Sequence, residues 1–230
     1  MIALEVIAEA LGDLKKRCFL TGGVSIPFYI TDQLEEAPRA TLDIDVALEV
    51  YSAREYYDVI EKQLRSRGFN HDLSQDAPIC RWRWEDLVVD IMPVDENVLG
   101  FANPWYRAGL DHTIPLVISE KCHWRILSAP YALAAKLAAF WSRGVSDPGN
   151  SHDLEDILTI INGRAEIVQE MEAAPEDCRQ YVANSCFKLL NDRALRDVLA
   201  YHLPYGIAGQ QRLSVVLERL KRLSLAQPPP

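Results

Sequence analysis

Two aspartates in one short segment are the residues of this sequence best suited to chemistry. Asp43 and Asp45 lie in Leu42-Asp43-Ile44-Asp45-Val46, where polar and apolar residues alternate. Because side chains alternate between the two faces of a β-strand, both carboxylates are expected on one face and the apolar residues on the other. Neighbouring carboxylates repel each other unless a cation lies between them, and such hard oxygen ligands suit Mg²⁺. Two solvated acids on an edge strand are the alternative, because short motifs match many unrelated sequences.

A third aspartate interrupts an apolar segment further along the chain. Asp90 is the only charged residue of Leu87-Val88-Val89-Asp90-Ile91-Met92, which predicts a buried strand. A buried carboxylate is costly unless it is paired or binds a metal. Residues 79–84 alternate in polarity, and Glu85-Asp86 is suited to a turn between two antiparallel strands. This hairpin would bring Asp90 near Asp43 and Asp45, and three converging carboxylates favour a two-metal site.

A glycine pair precedes these acids in the segment Thr21-Gly22-Gly23-Val24-Ser25. Gly22 and Gly23 have no Cβ, so the backbone can come close to phosphate oxygens, and the N–H groups of a following helix start would favour an anion. The hydroxyl of Ser25 can donate a hydrogen bond to a β- or γ-phosphate. Taken alone, the glycine pair is better explained by an ordinary turn from strand to helix.

The elements that must position these residues change in type once along the chain. Up to about residue 127 strands and helices alternate, and from Ser128 every segment is predicted to be helical. We therefore expect an α+β fold in which a mixed sheet flanked by helices (residues 1–127) is followed by a helical bundle (residues 128–227), with a disordered tail at 228–230. A substrate is expected in the cleft between the two domains. Strands are predicted at 18–20, around 43–45, at 81–92 as a hairpin, at 113–118 and at 123–126; helices at 1–16, from 25, and at 52–68, 131–141, 152–162, 175–191, 193–202 and 211–223.

Lys136 is the only charged residue in the apolar helical segment from Ala132 to Phe140. It either extends its amine to the surface or, beside an acid triad, holds a triphosphate as a point charge.

The glycine turn, the Asp43-Ile44-Asp45 pair and Asp90 together resemble the signature of the polymerase-beta-type nucleotidyltransferases. The pattern Arg39-x-Thr41-x-Asp43-x-Asp45 and the helical half are most similar to the AbiEii/MenT group, the nucleotidyltransferase toxins of bacterial toxin–antitoxin and phage-defence systems. One departure is that Gly22-Gly23 stands where many relatives have Gly-Ser. Arg39 and Thr41 are expected to support the loop before the Asp43 strand.

The resemblance implies a fold, a reaction and roles for several residues. It implies a nucleotidyltransferase core that transfers a nucleoside monophosphate from an NTP, with two Mg²⁺ ions held by Asp43, Asp45 and Asp90. Asp90 would also help to deprotonate the attacking hydroxyl. In the helical half, Lys136 and Asp156 would contact the nucleotide, and Arg143 and Asp153 match the same motif. The implied acceptor is RNA such as tRNA, and the implied protein partner is an antitoxin.

Composition narrows the class of protein. The chain has 230 residues, a net charge of −9 and a pI near 5.1, which disfavours a broad nucleic-acid-coating surface. The basic clusters, including Arg81 with Arg83, are candidates for a local basic cleft, but solvated faces are the favoured interpretation. Five scattered cysteines indicate neither a disulfide framework nor a zinc site. No run of eighteen apolar residues occurs, so we expect a cytoplasmic enzyme without a membrane role.

Other functions remain open at this stage. A small-molecule nucleotidyltransferase of the aminoglycoside-modifying kind is one, since an acidic protein suits a cationic acceptor. A catalytically silent fold that keeps the nucleotide site for binding or protein interaction is another. An Asp-x-Asp glycosyltransferase is a weaker alternative, because the glycine turn would then have no role.

Overall fold

The computed structural model describes residues 2–32, 39, 41, 43–204 and 206–225. The tail predicted at 228–230, and Leu42 at the start of the predicted Asp43 strand, lie outside the described residues. The chain divides into two compact units, Met1–Ser25 with Arg39–Ser128 and Ile26–Pro38 with Ala129–Pro230. Of the described residues in the predicted first domain, Ile26 to Asp32 cluster with the second unit.

The first unit is built on a seven-stranded mixed sheet in the order β3-β4-β5-β2-β1-β7-β6. The pairs β2–β5 and β1–β7 are parallel and the other neighbours are antiparallel. The mixed sheet confirms the predicted α+β class. The strands are β1 Cys18–Thr21, β2 Asp43–Leu48, β3 Asn70–His71, β4 Arg81–Trp84, β5 Leu87–Pro93, β6 Thr113–Ser119 and β7 Cys122–Leu127.

The predicted hairpin is confirmed, and its two-residue turn sets the register of the strands. Arg81 lies opposite Asp90, and Trp84 lies opposite Leu87, across the Glu85-Asp86 turn. Alternation along β2 buries Ile44 and Val46, as expected for an apolar face.

The helices of the first unit are short. They are α1 Ile2–Leu11, α2 Gly22–Ser25, α3 Ala53–Glu55, α4 Glu61–Ser66, α5 Glu96–Leu99 and α6 Pro104–Ala108. The first helix is shorter than predicted because Gly12 adopts a φ of +53° and residues 12–17 form a 3-10 segment. The predicted helix at 52–68 contains a π-helical turn at Tyr56–Ile60 between α3 and α4. Helices α5 and α6 were not predicted.

The second unit is helical, as predicted for the C-terminal half. Its helices are α7 Ala129–Ala139, α8 His152–Gly163, α9 Ile167–Glu172, α10 Glu176–Asn191, α11 Arg193–Val198 and α12 Gly206–Ser224. A π-helical turn at Phe140–Gly144 and a 3-10 turn at Pro148–Asn150 connect α7 to α8. Ser151 caps α8 by accepting a hydrogen bond from the backbone N–H of Leu154. Among the described residues, no helix is both long enough and apolar enough to cross a membrane.

Candidate functional site

One row of side chains crosses four neighbouring strands of the sheet. Arg81 on β4 pairs with Asp90 on β5, Asp90 with Asp45 on β2, and Asp45 with Thr21 on β1. Residues that are partners in register point to the same face of a sheet, so these four side chains share one face. Asp43 lies two residues before Asp45 and shares that face. The structure thus brings the three predicted acids together on two adjacent parallel strands.

Arg81 is the cation of this row. Its Nε and Nη2 donate hydrogen bonds to the two carboxylate oxygens of Asp90, both at 2.8 Å, and Nη2 also donates to Oδ2 of Asp43 at 3.0 Å. The side chains of Asp90, Arg81 and Asp43 are 12%, 26% and 38% exposed. The hydrogen bonds to Asp90 raise the pKa of Arg81 above its ordinary value, although burial opposes this, and the charges of both acids add to the rise.

The interpretation of Arg81 as part of a solvated face is therefore wrong. It fits Arg83, whose side chain is half exposed and forms an ion pair with Asp72. The signal that identifies Arg81 was present in the sequence, because a two-residue turn at Glu85-Asp86 places it directly opposite Asp90.

The three acids suit Mg²⁺ in their chemistry, but their arrangement does not close around a metal ion. Carboxylate oxygens are the ligands that Mg²⁺ prefers. Across the described part of the chain, no group of three or more His, Cys, Asp and Glu side chains is arranged so that it could hold a metal ion. Arg81 explains this at the acid triad, since its guanidinium contacts both oxygens of Asp90 and one of Asp43. The two-metal site stays a prediction, and it requires Arg81 to move.

The glycine turn lies directly against the acids. Gly22 has a φ of +62°, and a Cβ at this position would lie 2.0 Å from Oδ2 of Asp45. Only glycine fits here, because both the backbone conformation and the close carboxylate exclude a side chain. A Cβ at Gly23 would lie 3.0 Å from a guanidinium nitrogen of Arg39 and 3.5 Å from Cβ of Thr41. Arg39 and Thr41 thus lie against the turn, and their support of the loop before the Asp43 strand stays a prediction.

Ser25 contacts the turn itself. Its hydroxyl donates a hydrogen bond to the carbonyl oxygen of Gly22 at 2.8 Å, and the residue is buried. Helix α2 is a single turn, shorter than the helix expected after the glycine pair. In this arrangement Ser25 stabilises the turn, and its hydrogen bond to a phosphate stays a prediction.

Tyr106 is a further residue at this site that sequence reasoning missed. Its phenol and the hydroxyl of Thr21 are hydrogen-bonded at 3.1 Å, and its ring packs edge-on against Phe19. No motif marks Tyr106, because α6 brings it to β1 through tertiary packing.

A second charged cluster lies in the second unit, between α7 and α8. Nζ of Lys136 lies 2.6 Å from Oδ2 of Asp156 and 3.3 Å from Oδ1 of Asp153. Arg143 donates to both oxygens of Asp153, at 2.7 and 3.0 Å. The side chains of Lys136, Asp153 and Asp156 are only 11%, 7% and 3% exposed. The structure thus brings together the four residues that the resemblance singled out in the helical half.

Electrostatics favours the charged form of Asp153 in this second cluster. Burial alone would raise the pKa of Asp153, but the hydrogen bonds from Arg143 and the charge of Lys136 outweigh it and lower that pKa below its ordinary value. The alternative in which Lys136 extends its amine to the surface is wrong, since the ammonium is buried against two carboxylates. Nucleotide contacts of Lys136 and Asp156 stay a prediction.

Comparisons with known proteins do not settle the family. No protein-family model matches the chain, and no curated protein matches it. Among solved structures, the chain is similar to the crystal structure of a "putative nucleotidyltransferase from H. pylori". The identity is 11% and the TM-score 0.41, over 98% of this chain and 92% of that one. A likeness of this degree carries no conclusion about activity, so the function is argued from the geometry.

Proposed function

We propose that the protein is a nucleotidyltransferase that moves a nucleoside monophosphate from an NTP to an acceptor hydroxyl. The observation that carries this proposal is the face shared by Asp43, Asp45 and Asp90, with the Gly22 turn packed onto the Asp45 carboxylate. In the reaction, the acceptor oxygen bonds to the α-phosphorus, the bond from that phosphorus to the bridging oxygen breaks, and pyrophosphate leaves.

Each residue of the first cluster has a role in this proposal. Asp43 and Asp45 would hold the Mg²⁺ that accompanies the triphosphate, and the three acids would share a second ion; the metal's contribution is to neutralise phosphate charge. Gly22 and Gly23 leave the turn without side chains, so phosphate oxygens can approach the backbone. Asp90 would accept the proton of the acceptor hydroxyl. That role requires Arg81 to withdraw from at least one of its oxygens.

The finer part of the proposal concerns the biological role. We propose a toxin of a bacterial toxin–antitoxin or phage-defence system that modifies RNA such as tRNA in the cytoplasm and is neutralised by an antitoxin. The sequence resemblance supports this role. A second support is that Lys136, Arg143, Asp153 and Asp156, which match that group in a separate part of the chain, form one cluster.

A second candidate function is favoured by one specific observation. Arg81 itself balances the charges of Asp90 and Asp43, as a fold that binds a nucleotide or a partner without catalysis would allow. The test must therefore separate transfer from binding.

The test uses α-labelled NTPs with Mg²⁺ and, as acceptors, total tRNA or a panel of aminoglycosides. Asp45→Asn is the informative variant, because Asp90→Asn would also break the Arg81 ion pair. Asp86→Asn, an equal charge change in the exposed hairpin turn, is the matched control. We expect Asp45→Asn to lower transfer by about 100-fold or more and Asp86→Asn to leave it unchanged. Full transfer by Asp45→Asn would contradict the proposal. NTP binding without transfer by the wild-type protein would favour the silent fold, and label on an aminoglycoside would replace the RNA acceptor.

A further inference from the structure

The acid triad is charge-balanced by a residue of the protein itself. Arg81 makes three hydrogen bonds to two of the three acids, and its side chain is only partly exposed. We propose that Arg81 is a resident counter-ion that a divalent cation must displace, and that it thereby sets the metal affinity of the site. The position of the metal in this inference rests on the proposed function. The competition between Arg81 and the metal for the carboxylates rests only on the observed ion pairs.

Displacement follows from the space and charge around Asp90. Mg²⁺ binds carboxylate oxygens directly, at about 2.0–2.1 Å. The two oxygens of Asp90 already accept hydrogen bonds from Nε and Nη2 of the same guanidinium. A divalent cation would meet a permanently charged group at this position, and the two cations repel each other. Metal and Arg81 therefore cannot occupy the Asp90 carboxylate in the present geometry together.

The contacts of Arg81 differ between the two acids, which predicts an order of loading. Asp43 accepts a single hydrogen bond and is the more exposed acid, whereas Asp90 accepts two and is largely buried. An ion bound at Asp43 requires Arg81 to give up one hydrogen bond. An ion bound by Asp90 requires the whole bidentate pair to break. We therefore expect the first divalent cation to bind more tightly than the second.

The backbone of β4 can stay in place while the Arg81 side chain moves. Trp82, the next residue, is fully buried and anchors the strand, and β4 is paired with both β3 and β5. Arg81 then needs only a change of side-chain rotamers to leave the acids.

Arg83 provides a matched control. It lies on the same strand and the same face, opposite Val88, and its ion pair is with Asp72 on the opposite side from the triad. Arg83→Gln therefore removes the same charge without removing a contact to Asp43 or Asp90.

The experiment measures Mn²⁺ binding to the full chain without nucleotide, by calorimetry and by the electron paramagnetic resonance of free Mn²⁺. We expect Arg81→Gln to bind the first Mn²⁺ at least tenfold more tightly than the wild type, and Arg83→Gln to lie within twofold of it. Arg81→Gln should also melt at a lower temperature in chelator and recover when Mn²⁺ is added, since the metal then balances the acids. If Arg81→Gln does not fold in chelator, refolding in Mn²⁺ gives the same result.

Arg81→Lys should fall between the wild type and Arg81→Gln, because an ammonium keeps the charge but not the bidentate geometry. Unchanged or weaker Mn²⁺ binding by folded Arg81→Gln would overturn the inference. The outcome is separable from the proposed function. Tighter Mn²⁺ binding by Arg81→Gln, with no nucleotidyl transfer by the wild type, would support the counter-ion role and reject the enzyme. Transfer by the wild type, with unchanged Mn²⁺ binding by Arg81→Gln, would support the enzyme and reject the counter-ion role.

Discussion

Lys136 allows a quantitative test of the buried cluster in the second unit. Lys136→Met removes the ammonium but keeps an unbranched side chain, leaving Asp156 and Asp153 almost fully buried. At 2.6 Å from Asp156, the gross attraction is about 6 kcal/mol at an effective dielectric constant of about 20. Desolvation of both groups offsets part of this. Removing one partner of a buried pair typically costs about 3–5 kcal/mol, because the other charge stays buried.

The assay is thermal unfolding followed by circular dichroism at pH 7 in chelator. For a chain of this size, 1 kcal/mol corresponds to about 2–4 °C in Tm. Lys136→Met should therefore lower Tm by about 6–20 °C. Lys221→Met, at an exposed position on α12, is the control and should change Tm by no more than about 2 °C.

A double variant distinguishes the loss of the attraction between Lys136 and Asp156 from the cost of leaving a charged carboxylate buried after Lys136 is removed. Lys136→Met with Asp156→Leu replaces both charges by apolar groups, so it should lose clearly less stability than the sum of the single variants. A Tm for Lys136→Met within about 2 °C of the wild type would refute the reasoning. Nucleotide affinity of the Lys136 variants is then measured well below their Tm, so that a binding role is not confused with unfolding.

Two further predictions follow from the turn and from the buried acids. Gly22→Ala should destabilise the protein by more than the roughly 1–2 kcal/mol that a left-handed residue costs, because its Cβ would collide with Asp45. Gly100→Ala is the control in the same unfolding assay. Gly100 has a φ of +84° and its added Cβ would meet nothing within 4 Å, so this variant measures the backbone cost alone. The folded-state pKa of Asp153 lies below its ordinary value of 3.8. Its ionised form therefore stabilises the protein at pH values above 3.8, and this contribution is lost as the pH falls through the lower folded-state pKa. Asp153→Asn should melt below the wild type at pH 7 and converge with it toward pH 2, and a gap independent of pH would contradict this.

Short-range sequence patterns predicted the strands that carry the side chains of the first cluster. The period of two along β2 placed Asp43 with Asp45. The two-residue turn at Glu85-Asp86 also implies that Arg81 lies opposite Asp90, but this pairing was not predicted. The parallel register of Asp45 with Asp90 was not predictable, because it depends on how the long connection between β2 and β5 packs. Residue type was misleading for Arg81, since an arginine beside tryptophans in a hairpin resembles a solvated position until its partner across the strand is known.

In the helical half, too, the elements were predictable from local sequence, whereas the contacts that depend on tertiary packing were not. Its long helices were predicted from capping and helix-breaking residues, and a serine at position 151, just before α8, is typical of a helix cap. The π-helical turn at Phe140–Gly144 is not, and it leads into the connection between α7 and α8. A Cβ at Gly144 would lie 2.3 Å from Oγ of Ser151, so the close packing of this connection needs glycine. Only this packing brings Lys136 to Asp156.

Each of the two charged clusters contains a cation that contacts two aspartates, but the clusters differ in hydration. Arg81 and Asp43 are 26% and 38% exposed, so water and dissolved cations can compete for the oxygens of Asp43, whereas Asp90 is largely buried. Lys136, Asp153 and Asp156 are almost fully buried, so losing the cation leaves charges that water cannot reach. Exchange of the cation is therefore easier in the first cluster, where Arg81 and Asp43 are more open to solvent. Reaction chemistry that loads and releases a charged substrate needs such exchange, whereas the second cluster is suited to joining α7 to α8.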